Sequence, residues 1–239
     1  MLQGMIAVLK ELKWFEVLLL AGILVLIGWT ASRLKNPMPI VPVSLWFRGG
    51  VLLGLVVLNA LIISWMSRPP MNSVDVVRNG IIDFELAKTE QKAGAIRTAW
   101  LAEENAVEFP AGSGKMASLA AIAQRNIYID FLFIPSYVLL LSFACFWIAE
   151  NIRWDVLSQV GTVIGWGIVV AGVLDIVENL AMLGMLANGP TPLLAALSFW
   201  CAVPKFVILL GFAGAFILVG LVTLMVQGFV MRLSNRLRP

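Results

Sequence analysis

Four ionisable side chains, Asp130, Asp175, Glu178 and Lys205, stand inside apolar stretches long enough to cross a bilayer, where each charge costs about 3 kcal/mol to insert. Left unpaired, the set would cost on the order of 10 kcal/mol, comparable to the stability of a whole domain. These groups must therefore compensate one another or line a hydrated cavity. Asp175, Glu178 and Asn179 occupy positions i, i+3 and i+4 and so share one helix face. Asp130 and Tyr137, two turns apart, share another. Lys205 can hold one acid ionised, whereas an isolated carboxyl in hydrocarbon keeps its proton because burial disfavours the charged form. Three acids against one lysine leave an acidic excess. A proton, a cation or a cationic ligand would balance it, and Arg125 at the mouth of the third span could offset one charge. Asp130, Tyr137, Asp175, Glu178, Asn179 and Lys205 are accordingly the candidate ligand-binding residues. Two carboxyls in different environments also suit general acid–base chemistry, although no individual catalytic residue follows from the sequence. The plainer alternative is that the set is interhelical glue, its members satisfied by one another.

The elements that position these residues are membrane helices. The chain of 239 residues is 60% hydrophobic and 13% charged, with a mean hydropathy of +0.93, against about 25% charged in soluble domains. This composition predicts an all-α integral membrane helix bundle forming a single membrane domain, 1–239. With no histidine, His-ligated zinc or haem and the usual Ser-His-Asp and Cys-His pairs drop out. No metal and no cofactor are expected. Cys145 and Cys201 fall in separate spans and read as packing residues. The net charge of +3 and pI near 9.1 come without a basic block, so no nucleic-acid partner is expected.

Apolar runs predict five spans, at about 14–31, 43–66, 127–149, 156–187 and 193–228. Prolines at 37, 39 and 42 prescribe an extended connector between the first two, and Pro204 is expected to kink the fifth. The segment 67–126 balances seven Lys or Arg against seven Asp or Glu and reads as aqueous. Within it Ile82, Leu86, Ala93, Ile96 and Trp100 recur at helical spacing, predicting one external amphipathic helix between spans two and three. Its apolar face should pack on the bundle or lie in the lipid interface, with a partner site the alternative. The stretch Gly112-Ser113-Gly114-Lys115 resembles a phosphate loop only in part, since Phe109 and Met116 stand where the loop needs Gly and Ser or Thr.

Five spans place Arg33, Lys35, Arg48, Arg153, Arg232, Arg236 and Arg238 on one side, against Lys10 and Lys13 in the short segments of the other. The first side should be cytoplasmic, with the N-terminus outside and the C-terminus inside. Counting inward at about 1.5 Å per residue then puts Asp130, Asp175, Glu178, Asn179 and Lys205 in the outer half of the bundle. Glycine pairs at Gly50/Gly54 and Gly161/Gly165 should allow close helix approach, with homodimerisation the minor alternative.

The stretch Gly80 to Ala87 with its Phe84-Glu85-Leu86-Ala87 core, Trp100, the run Asp130 to Tyr137 (DFLFIPSY), and Asp175 to Asn179 (DIVEN) together resemble a family of uncharacterised bacterial multi-pass membrane proteins. The resemblance covers roughly residues 80–205. It implies a bacterial inner-membrane setting, and that Glu85, Asp130, Tyr137, Asp175, Glu178 and Asn179 belong together, with Glu85 folded over the external mouth of the bundle. It carries no activity. The leading expectation is binding or transport of a small or lipid-like, cationic molecule at the acidic cluster. The alternatives are a membrane-embedded lipid-modifying enzyme and an accessory subunit that docks a membrane partner or a second copy of the chain.

Overall fold

The computed structural model describes residues 45–66, 80–109 and 113–236; the contacts below all lie within the unit Gly49–Pro239. Helix α1 spans Leu45–Met66. Two short external helices follow, α2 at Ile81–Glu85 and α3 at Glu90–Leu101. After a 3-10 turn at Glu103–Asn105 comes a hairpin that pairs β1, Val107–Glu108, antiparallel with β2, Met116–Ala117. Three long helical runs complete the chain: α4, Leu119–Asn151; α5, Asp155–Asn188; and α6, Pro192–Phe206, which passes through a π-helical segment at Val207–Ala213 into α7, Gly214–Arg236.

Among the described residues four helical runs are long and apolar enough to cross a membrane: Arg48–Met66, Leu119–Asn151, Asp155–Asn188 and Pro192–Met231. They correspond to the second to fifth expected spans. The first, 14–31, lies outside the described residues. The last run holds 40 residues, about 60 Å at 1.5 Å per residue and twice the hydrocarbon thickness. It continues through Pro204, whose missing N–H leaves the Trp200 carbonyl without its helical donor. The π segment begins three residues later.

Local chemistry explains where the helices start. Thr89 Oγ1 accepts from Lys92 N (3.3 Å), Ser118 Oγ from Ala121 N (3.2 Å), and Thr191 Oγ1 from Leu194 N (3.2 Å), each satisfying an amide that has no partner within its helix. Pro192 occupies the first turn of α6, where its lost donor costs nothing. Gly189, at φ 90°, ends α5 in a conformation that a β-carbon would strain.

The expected single amphipathic helix is two. Thr89 caps a new helix after Leu86–Lys88, because an N-cap threonine with extended backbone interrupts the helical run. The buried face also differs: Ile82 is 43% exposed and Leu86 only half-buried, while Phe84, Ala87, Ala93, Ile96 and Trp100 are buried. This face packs on the bundle against Leu119, Ile122, Ala123 and Ile127 of α4, Met182 and Met185 of α5 and Ala195 of α6. Arg97 Nε fastens it by donating to the Leu186 carbonyl at 3.1 Å, near the end of α5. Of the Gly112–Lys115 stretch, Gly112 lies outside the described residues and Ser113–Lys115 lead into β2, with the Gly114 amide donating to Glu108 Oε1 at 2.6 Å.

A second apolar cluster, of Cys145, Ile148, Ile152, Ile168, Ala213 and Phe216, fills the opposite end of the bundle. Glycines make it possible: a β-carbon on Gly161 would strike the Phe216 ring, one on Gly165 the Phe146 ring, and one on Gly220 Ile148. Gly161 and Gly165 therefore receive aromatic side chains rather than a helix backbone, and Gly50 and Gly54 on α1 meet nothing within 4 Å. Cys145 and Cys201 are both buried and free.

Candidate functional site

Between the two apolar clusters the bundle carries a polar layer. On α4 it falls between Ile127 and Cys145, on α5 between Ile168 and Met182, and on the last run between Ala195 and Ala213. Lys205 is at its centre, 5% exposed. Its ammonium lies 2.9 Å from Asp175 Oδ1 and 2.8 Å from Glu178 Oε2, both on α5, and 3.8 Å from Glu85 Oε2 on α2. A lysine ammonium has three protons, and here three carboxyls face it. The Asp175 contact is a hydrogen bond. The Glu178 contact is a close ion pair set out of line for one. The Phe206 ring adds a cation–π contact at 4.7 Å.

The remaining oxygens divide into satisfied and unsatisfied. Asp175 Oδ2 accepts from the Tyr137 hydroxyl at 2.8 Å, so both oxygens of this carboxylate are engaged. Asp130 Oδ2 accepts from Asn179 Nδ2 at 2.6 Å. Glu178, with no exposed surface, has no donor for Oε1, and Glu85 has none for Oε2. The Glu85 and Glu178 carboxyls lie against each other, and two carboxylates offer only acceptors. A proton on one of them supplies the missing donor. At Glu85, the member of the pair outside the spans, burial raises the pKa above the ordinary 4.5, Lys205 pulls it down, and the Asp175 charge pushes it up again.

All six residues expected from the sequence therefore meet in one layer, and Glu85 joins them from outside the spans. Two features had no sequence argument. Ser198, fully buried, donates to the Glu85 backbone carbonyl at 3.3 Å and so ties α2 to α6. Its spacing of seven from Lys205 places both on one helix face and could have revealed it. Ser136 Oγ lies 3.2 Å from Asn59 Oδ1, connecting α4 to α1 one residue before Tyr137. Prolines flank the layer: Pro135 lies two residues from Tyr137, and Pro204 adjoins Lys205 just ahead of the π segment. π-helical turns and proline breaks are where membrane helices give up regular bonding, frequently at functional sites.

The layer is buried. Two surface depressions among the described residues, lined by Leu58, Leu61, Ile62, Trp65 and Leu132 and by Lys88, Thr89, Glu90, Gln91 and Pro192, do not reach Lys205. No group of three or more His, Cys, Asp or Glu side chains among the described residues has a metal-binding arrangement. Comparison with protein-family models, curated proteins and solved structures finds no match to this chain.

Removing the central cation is expected to be severe. Lys205→Met leaves acidic groups without a counter-charge in a buried site and should cost about 3–5 kcal/mol; adding Asp175→Asn and Glu178→Gln should restore most of it, as read by thermal unfolding in detergent. Glu85 sets a pH dependence. Its folded pKa is raised, so between 4.5 and the folded value the folded chain binds more protons than the unfolded one. Its stabilisation is complete below about 4.5 and disappears as pH rises through the folded value. The melting temperature should fall over that interval in the wild type and fall less steeply in Glu85→Gln.

Proposed function

We propose that this chain is a bacterial inner-membrane protein of five crossings that binds and translocates a small or lipid-like cation at the Glu85–Asp175–Glu178–Lys205 cluster. One observation carries the reading: three carboxyls surround a single buried lysine, and the completely buried Glu178 keeps an oxygen that no protein donor reaches. An acidic excess in a dry interior is expensive and is characteristic of ion and substrate pathways. In the closed arrangement a proton fits. A larger cation requires α2 to lift, since this short external helix carries Glu85 across the site and is tied down by Ser198. Support for the orientation comes from Arg153, Arg232 and Arg236 at one end of the helices, opposite the segment that holds α2 and α3.

Uptake of methyl viologen, a dication that does not cross bilayers unaided, into proteoliposomes under a pH gradient tests this. Glu178→Gln and Asp175→Asn should abolish uptake, and the exposed Glu90→Gln should leave it intact. If the two cluster variants change only thermal stability, the layer is structural glue. The contact between Glu85 and Glu178 favours a second reading, a lipid-modifying enzyme in which Glu85 is the general acid and Glu178 its ionised partner. A deletion strain with an unchanged lipid profile contradicts it.

A further inference from the structure

The face of α4 turned away from the polar layer carries its own order of chemistry. Arg125, Tyr128, Leu132 and Leu139 run down this face, with Tyr128, Leu132 and Leu139 exposed at 56%, 60% and 59%. Asp130 lies about 140° round the helix from Arg125 at about 100° per residue, on the side that meets α5. Alongside runs α1, joined to α4 through Asn59 and Ser136. Leu58, Leu61, Ile62 and Trp65 of α1 and Leu132 of α4 line an apolar groove of about 560 Å³ between the helices. At its Trp65 end the Arg125 guanidinium is held between two rings, 5.3 Å from the centroid of Trp65 and 5.1 Å from that of Phe109. Of its five N–H donors, one reaches Asn126 Oδ1, at 3.5 Å; no carboxylate pairs with it among the described residues.

We propose that this groove binds an anionic phospholipid, its phosphate on Arg125, its ester region beside Tyr128 and one acyl chain between α1 and α4. The sequence of environments along this face of α4, guanidinium then phenol then aliphatic side chains, repeats the sequence along the lipid. Aromatic rings brace the guanidinium, as tryptophan and tyrosine do at membrane interfaces. A braced arginine presents a planar fork matched to phosphate oxygens. The groove is also where α1 needs help. Only 6% of its membrane window is buried among the described residues, so a lipid wedged against α4 supplies packing that they do not.

Native mass spectrometry of the full-length chain in mild detergent, offered equal phosphatidylglycerol and phosphatidylcholine of matched chain length, tests the site. Phosphatidylglycerol should be retained in preference, and Arg125→Gln should weaken its retention at least about tenfold, the scale of a lost charge-assisted hydrogen bond. Leu61→Trp, which fills the groove without touching the charge, should displace it too and keeps the test valid if Arg125→Gln unfolds. Arg153→Gln, at the other end of the bundle, should retain it. Equal retention of both lipids, or retention unchanged in Leu61→Trp, overturns the proposal. So does a groove protected by a second copy of the chain, seen as a dimer mass without lipid.

Discussion

A lysine ammonium buried among three carboxyls is the interaction on which this bundle turns. In water the four charges would cost little to keep apart, but in an interior of low effective dielectric each must be compensated within a few ångströms. Lys205 satisfies that condition for Asp175, whose other oxygen takes the Tyr137 hydroxyl, and it meets Glu178 at 2.8 Å. Glu85 completes the ring from a different part of the chain. The consequence is geometric: α2, α5 and α6 must bring these side chains to one point, and α4 must present Tyr137 to the same carboxylate.

The rest of the fold is arranged to allow it. Apolar clusters lie on either side of the polar layer, one formed with the external helices and one closed by glycines that admit Phe216, Phe146 and Ile148. These clusters supply the ordinary packing energy, leaving the layer between them free to hold a residual acidic excess. Pro135, Pro204 and the π segment lie within that layer, so the backbone is least regular where the side chains are most polar. Such a combination suits a site that changes its protonation or its occupant, because a helix with interrupted bonding bends at lower cost than a regular one.

Much of this was legible in the residues. Apolar runs with charges at their ends located the helices from 43 onward, apart from the start of α4, at 119 rather than 127, and the end of α7, at 236 rather than 228. The spacing of Asp175, Glu178 and Asn179, together with the cost of burying any one of them, identified the layer before its contacts were known. The external helix was less legible. Its periodicity ran through Thr89, which as an N-cap starts a new helix, and Phe84 and Ala87 rather than Ile82 and Leu86 face the bundle because α2 and α3 have separate axes. Glu85 could not be placed by periodicity at all; only the quoted resemblance grouped it with the buried acids, since its position depends on a long-range contact with α6. The role of Ser198 was hidden for the same reason. Helix 119–151 starts ahead of its apolar stretch, as capping by Ser118 and packing against α3 extend a helix beyond the length that hydropathy detects.

The central claim is that a proton held between the Glu85 and Glu178 carboxyls relieves the acidic excess around Lys205. Infrared spectroscopy of the solubilised protein, at a pH where free glutamates are ionised, addresses it most directly. The account predicts a carbonyl band from a protonated, hydrogen-bonded carboxyl that is present in the wild type and absent in Glu85→Gln. A wild-type spectrum without such a band, or a band that survives the substitution unchanged, would contradict it.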